Sequence, residues 1–194
     1  RSRGLGDVYK RQVEEHSVLE ERLKRELRGE AHFDAFTRGR YATDASIYQI
    51  MPTGVAFPRS AAQAASVMRA AAEAGVSVIP RGAGTGLVGA TVGEGLVIDF
   101  SRYNRRISEF DREKGTIRVD PGVVLDQLNA WLKPHGLWFG PDVATSARAT
   151  LGGMIGNNSS GAHAPVYGTT DEHVLGLDIV LADGTTATIL SLIH

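Results

Sequence analysis

Cysteine is absent from the 194-residue chain. That excludes disulfides, thiolate zinc sites, iron–sulfur ligation and a cysteine nucleophile within it. Charge of one sign is lacking too. The formal net charge is −1, so no basic excess points to nucleic acid. Long apolar runs are missing: the best, Val174 to Ala182, is broken by Gly176 and Asp178 and falls far short of a bilayer span. Arg1 to Gln12 shows no apolar core and no small-residue cleavage site, so it is not a signal peptide. What is present is a globular balance, 42% hydrophobic and 22% charged, at a length suited to one domain or two small lobes. Glycine is plentiful, with 23 against 6 phenylalanines, which signals tight turns and close backbone approaches.

The two ends carry a nucleic-acid signature. Val8-Tyr9-Lys10-Arg11-Gln12 can be encoded by GTG TAT AAG AGA CAG. The reverse complement, CTG TCT CTT ATA CAC, translates as Leu-Ser-Leu-Ile-His, the last five residues, Leu190 to His194. The string resembles the translated end of a transposon used in sequencing libraries. Residues 1–12 and 190–194 are therefore read as library scars around a natural segment, Val13 to Ile189. Different codons in the source DNA at either end would overturn this reading.

Within that segment, Val13 to Arg28 has a helical stripe of Val18, Leu19, Leu23 and Leu27, with Gly29 as its stop. Residues 13–39 thus form an N-terminal helical segment. Thr37 to Met51 reads as polar and irregular. Val55 to Pro58 is a short strand. Ser60 and Gln63 make a capping-box pattern before an alanine-rich helix that Gly75 ends. Val76 to Pro80 is then a buried strand, and the strand–helix–strand unit predicts parallel pairing. Leu96 to Phe100, Ile107 to Phe110 and Thr116 to Val119 read as strands. Val123 to Leu132 reads as a helix with Val124, Leu128, Trp131 and Leu132 on its buried face, closed by Gly136. Leu151 to Asn157 is a short helix between loops at Pro141–Thr150 and Asn158–Thr170. Leu175 to Ala182 and Thr185 to Ile189 form a hairpin through Asp183-Gly184.

The loop Pro80-Arg81-Gly82-Ala83-Gly84-Thr85-Gly86-Leu87-Val88-Gly89 follows a strand. Its glycines let backbone N–H groups converge on an anion. A nucleoside-triphosphate loop requires Lys-Ser or Lys-Thr after the last glycine, and Ala90-Thr91 stand there instead. Gly84, Gly86 and Gly89 match G-x-G-x-x-G, but a Rossmann site also needs a helix opening at the loop and a ribose acid roughly 20 residues on. The stretch to Gly95 has no helical stripe, and the next strand ends early, at Asp99. A second glycine-rich cluster, Thr150-Leu151-Gly152-Gly153-Met154-Ile155-Gly156-Asn157-Asn158-Ser159-Ser160-Gly161, follows Pro141, Asp142 and Ser146. Two such loops suit one extended cofactor gripped from opposite sides.

On these segments the chain resembles the FAD-binding domain of the vanillyl-alcohol oxidase/p-cresol methylhydroxylase superfamily. The branch it resembles contains glycolate oxidase, D-lactate dehydrogenase and D-2-hydroxyglutarate dehydrogenase. The matching strings are Tyr41 to Ser46, Pro80 to Gly89, Val119 to Val123, Pro141-Asp142, Leu151 to Gly161 and Val166 to Asp171. Thr43 to Gln49 and Asn157 to Gly161 look most like the long bacterial members, which carry an iron–sulfur half after the flavin half.

The resemblance implies an α+β fold: two α/β lobes of the p-cresol methylhydroxylase type, here truncated, with residues 40–189 forming an FAD-binding domain incomplete at its C-terminal end. It implies that Arg81, Gly82, Ala83, Gly84, Thr85 and Gly86 wrap the pyrophosphate, with Arg81 neutralising charge. It places Pro141, Asp142 and Ser146 near the flavin ring and ribityl chain. Gly152, Gly153, Asn157 and Gly161 would line the diphosphate and ribityl side, and Ile179 would lie near the adenine. Members with covalent flavin often carry a histidine in the first loop. Thr85 and Gly86 stand there, which implies noncovalent FAD.

The implied activity is oxidation of a D-2-hydroxy acid by hydride transfer to flavin. A quinone, a cytochrome, an electron-transfer flavoprotein or an iron–sulfur domain of the same protein would take the electrons. An FAD-binding module without turnover, and an oxygen-using oxidase, stay open as alternatives. The implied location is cytoplasmic, with peripheral attachment to the inner membrane an option for the full-length protein. Asp142 is expected to order its loop, His163 to be a surface histidine, Tyr167 either to stack near the flavin or simply to pack, and Trp131 and Leu128 to be core. His32, His135 and His173 have no metal-ligand spacing. No residue is nominated as the catalytic base.

Overall fold

A computed structural model describes residues 17–190. The proposed scar at residues 1–12, residues 13–16 of the expected N-terminal helix and residues 191–194 lie outside the described residues. The first helix, α1, covers residues 17–26. Leu19, Leu23 and Leu27 are buried at helical spacing, whereas Val18, expected on the same stripe, is 65% exposed. It lies a residue ahead of the buried line and turns to solvent. Arg28 and Gly29 take positive φ, and the Gly29 N–H donates to the Lys24 carbonyl at 2.8 Å, closing the helix.

The first lobe is a four-stranded sheet, β1 (Ala31–His32), β2 (Gly54–Ala56), β3 (Val78–Arg81) and β4 (Leu96–Asp99), in the order β1-β2-β4-β3. Both neighbours of β4 run parallel to it, and β1 pairs antiparallel to β2. The parallel pairing expected of the strand–helix–strand unit is present, with β4 inserted between its two strands. β4 is buried throughout, as its central position requires. β3, expected to be buried, is only partly so, because it forms the edge. Pro80 is tolerated there because an edge strand has an N–H position to spare. Helix α3 (Ala61–Glu73) is capped by Ser60, whose hydroxyl accepts from the Gln63 N–H, and packs with α1 on one face of the sheet. Val55, Phe57 and Val97 fill the other face, with Tyr41, Ile79 and Tyr103 against them.

The stretch from Thr37, read as irregular, contains the end of a helix, α2 (Ala35–Tyr41). None of its residues is buried, so it has no apolar period to detect. Its signal is Asp34, whose carboxylate caps the Thr37 N–H at 2.8 Å.

The second lobe pairs β5 (Ile107–Asp111) with β6 (Thr116–Val119) and packs them on α4 (Leu125–Leu132) and α5 (Leu151–Gly156). Its core is Val123, Leu125, Leu128, Leu132, Ala149, Leu151 and Met154. Trp131, expected in the core, is 37% exposed and covers the lobe's edge, its ring T-shaped to Phe110 at 5.1 Å. Leu125 rather than Val124 continues the buried face, since Val124 is the cap residue. Gly136 closes the segment in the left-handed conformation, as expected. A single helical turn, α6 (Ala164–Tyr167), interrupts the loop expected over Asn158–Thr170. The last element is the hairpin β7 (Gly176–Val180) and β8 (Thr186–Leu190). Its turn glycine, Gly184, has φ +80° and offers its carbonyl to Arg69 of α3 at 3.0 Å.

Candidate functional site

The chain leaves β3 into the first glycine loop with its donors uncommitted. Among the described residues, no backbone N–H from Gly82 through Ala90 donates to a backbone acceptor, and the Thr91 N–H turns to the Asp44 carboxylate. Buried or half-buried N–H groups normally find partners, and a succession of them along one loop makes an anion-binding concavity. Gly84 has φ +66° and Gly89 φ +75°, conformations that set the path of the loop. The loop is fastened to the segment after α2. The Ala45 N–H donates to the Gly84 carbonyl at 3.0 Å, and the Thr91 hydroxyl donates to Asp44 at 2.9 Å. Arg81, expected beside the pyrophosphate, sends its guanidinium to the carbonyls of Tyr41, Thr43 and Thr91. Behind it, Tyr41 donates its hydroxyl to the buried Asp99 at 2.5 Å. Desolvation, then that bond, holds the Tyr41 phenol well above its usual range.

The second cluster is built on close backbone approach. The Gly152 N–H donates to the Pro121 carbonyl at 2.8 Å, and a Cβ at Gly152 would lie 2.6 Å from the Pro121 Cβ. A Cβ at Gly161 would lie 1.5 Å from the Asp142 carbonyl oxygen. Asp142 also accepts from the His163 N–H at 3.3 Å and pairs with the His163 ring through Nδ1. That pairing holds the Asp142 carboxyl below its usual range. Asp142 orders its loop, and His163 is exposed on the surface, both as expected. Ser146 turns back onto Val143 and accepts from the Asp126 N–H, and the Asn157 amide donates to the Gly153 carbonyl at 2.9 Å. Tyr167 packs T-shaped on Trp138 at 5.1 Å. Ile179 stands on β7 opposite Ala187, in the hairpin that rests on α3.

The two clusters meet at Gly82 and Thr150. A Cβ at Gly82 would lie 2.1 Å from the Thr150 hydroxyl oxygen, and one at Gly153 would lie 3.2 Å from it. Thr150 is 2% exposed, and its hydroxyl is the one buried side-chain polar atom without a partner among the described residues. Sequence reasoning passed over Thr150, because only the meeting of the two lobes buries it. A donor-rich loop, a second loop poor in side chains and an orphaned hydroxyl between them suit a phosphate-bearing dinucleotide. No cluster of three metal-ligating side chains exists among the described residues.

These features define a dinucleotide-binding domain. A family profile described as an FAD binding domain matches residues 52–189, and the chain belongs to that family. The curated relatives it matches include proteins named D-2-hydroxyglutarate dehydrogenase, glycolate oxidase subunit and D-lactate dehydrogenase. It is 51% identical over 146 residues to a D-2-hydroxyglutarate dehydrogenase of Pantoea ananatis (strain AJ13355), covering 74% of this chain and 14% of that protein. It is 38% identical over 165 residues to the glycolate oxidase subunit GlcD of Bacillus subtilis (strain 168), covering 82% of this chain and 35% of that protein. Among solved structures, a p-cresol methylhydroxylase shares the fold with a TM-score of 0.73 at 16% identity, over 90% of this chain and 35% of that one. The expected two-lobed fold is thereby established, and the chain spans only a minor part of these relatives.

Proposed function

We propose that this chain is the FAD-holding part of a flavin-dependent dehydrogenase that oxidises a D-2-hydroxy acid of the D-2-hydroxyglutarate, D-lactate or glycolate class. The observation that carries the cofactor reading is the run of unaccepted N–H groups from Gly82 to Ala90, with the orphaned Thr150 hydroxyl set against Gly82 at its start. In this reading the N–H groups of Gly82 to Gly86 and the Thr150 hydroxyl hold the pyrophosphate. Gly152, Gly153, Asn157 and Gly161 leave room along the ribityl side, Pro141, Asp142 and Ser146 border the ring, and Ile179 lies toward the adenine. FAD, when bound, supplies the two-electron acceptor for the substrate's α-carbon hydrogen. The chain's own residues bind and orient it and keep bulk out of the cradle. With no cysteine in the chain, an iron–sulfur cluster of the parent protein would take its ligands from the remaining polypeptide. The electron acceptor, a quinone, cytochrome, electron-transfer flavoprotein or that cluster, would meet the protein there as well.

Relatives bearing the names D-2-hydroxyglutarate dehydrogenase and glycolate oxidase support the substrate class. Among the described residues no helix is long and apolar enough to cross a membrane, and a cytoplasmic location accords with this. The natural segment is taken as residues 13–189, with library-derived ends. Titration of the purified chain with FAD, FMN and NAD, read by flavin fluorescence and by melting temperature, tests the cofactor. Binding should be strongest for FAD, and greater stabilisation by NAD would refute the assignment. The parent protein should be reduced by a D-2-hydroxy acid under anaerobic conditions. The isolated chain, without a substrate clamp, should show no turnover.

A further inference from the structure

Arg81 is the single cation of the first glycine loop, and its guanidinium is spent on backbone carbonyls. Nη2 donates to the Thr43 carbonyl at 2.8 Å, and Nη1 to the Tyr41 and Thr91 carbonyls at 3.3 Å each. The guanidinium carbon lies 5.0 Å from the centre of the Tyr41 ring. Gly84 curves over the same group: a Cβ there would lie 2.7 Å from Nη2. The guanidinium therefore gathers the start of the loop, its end at Thr91 and the Tyr41–Thr43 segment around one planar fork. A second brace runs alongside it. Asp44 accepts from the Thr91 hydroxyl at 2.9 Å and is fixed by the Ser46 N–H at 2.8 Å. The Ala45 N–H to Gly84 carbonyl bond lies between the two braces.

We infer that Arg81 is a positioning residue for the dinucleotide: it shapes the donor loop from behind, through three carbonyls, and does not itself ligate phosphate. The inference rests on the FAD reading above and names how its loop is held in the binding shape. Five N–H donors in a fixed plane suit this task, and an ammonium does not replace them. A phosphate ligand behaves differently, since lysine carries the same charge and binds phosphate as a point charge.

The test compares Arg81→Lys, Arg81→Gln and Thr91→Val in this chain by two readouts. The first needs no cofactor. The Ala45 amide, bonded to Gly84, should lose about tenfold or more of its hydrogen-exchange protection in Arg81→Lys. The Leu125 and Leu151 amides, bonded to Ala149 and Val123 in the second lobe, should keep theirs. The second readout is FAD affinity. Arg81→Lys should weaken it by about tenfold, the scale of one charge-assisted hydrogen bond. Thr91→Val, which changes no charge, should weaken it in the same direction. Arg81→Lys with FAD affinity within about twofold of the unmodified chain and an unchanged Ala45 amide would overturn the inference, as would a Thr91→Val chain with unaltered affinity. If the unmodified chain binds no FAD, the function reading fails while the exchange readout still decides the clamp.

Discussion

Replacing Thr150 by valine separates the needs of the fold from those of the ligand. Valine matches threonine in shape but carries no hydroxyl. Thr150 is 2% exposed, and its hydroxyl has no partner among the described residues. A buried polar group left unsatisfied costs about 1–3 kcal/mol. Removing the hydroxyl should therefore stabilise the cofactor-free chain by about 1 kcal/mol, the low end of that range, because a methyl must still fit against Gly82. For a domain of this size that is about 2–4 °C in melting temperature. With saturating FAD the order should reverse. The threonine then gains an acceptor, and valine should lose about tenfold in affinity, equivalent to about 1.4 kcal/mol. Thermal melts of both chains, with and without FAD, measure the crossing directly. A less stable cofactor-free Thr150→Val chain would show that the hydroxyl is satisfied by ordered water. Equal FAD affinity would remove Thr150 from the cradle.

The parts of this fold that announce themselves in sequence are those where one residue type has one local use. Asp183-Gly184 demands a hairpin turn, Ser60 and Gln63 cap a helix, and Gly29, Gly75 and Gly136 stop helices, all at positive φ. The glycine clusters were legible for the same reason. Features set by distant neighbours were not. Whether β3 is central or at the edge depends on β4, which comes later in the chain and inserts beside it. Helix α2 buries nothing and so leaves no period. Trp131 lies on the helical face but at the rim of a small lobe, where a large ring covers rather than fills. In the site, sequence identified the backbone that would face a phosphate but not what holds it. The Thr150 hydroxyl and the carbonyl partners of Arg81 come together only after segments far apart in sequence have met. The glycines of the second cluster also serve the chain's own close approaches, as Gly152 against Pro121 and Gly161 against Asp142 show.

Further predictions concern Gly161, Tyr41 and Asp142. Gly161→Ala should destabilise the chain by about 1–3 kcal/mol, because its Cβ meets a backbone carbonyl that has no rotamer to escape through; an unchanged denaturant midpoint would refute this. Tyr41→Phe should cost about 1–3 kcal/mol by taking a donor from buried Asp99, which keeps only its Ser101 partners. In the intact chain the Tyr41 phenol, raised above its usual range, lends stability that is fully present below the ordinary tyrosine value and lost as the pH rises toward its folded value. An ultraviolet titration should therefore show one tyrosine ionising only with alkaline unfolding. The last concerns the strap formed by Asp142 and His163. The Asp142 carboxyl accepts from the His163 N–H and pairs with its ring, and its folded value is lowered mainly by that side-chain bond. A lowered carboxylate contributes stability above its unfolded value and loses it as the pH falls through the folded one. Asp142→Asn should therefore melt below the unmodified chain at neutral pH, and the gap should close as the pH drops below about 4, the ordinary aspartate value. Both chains melted from pH 7 to pH 3 provide the measurement. A gap that stays constant over that range would mean that the Asp142 backbone against Gly161, and not its charge, fastens the second loop.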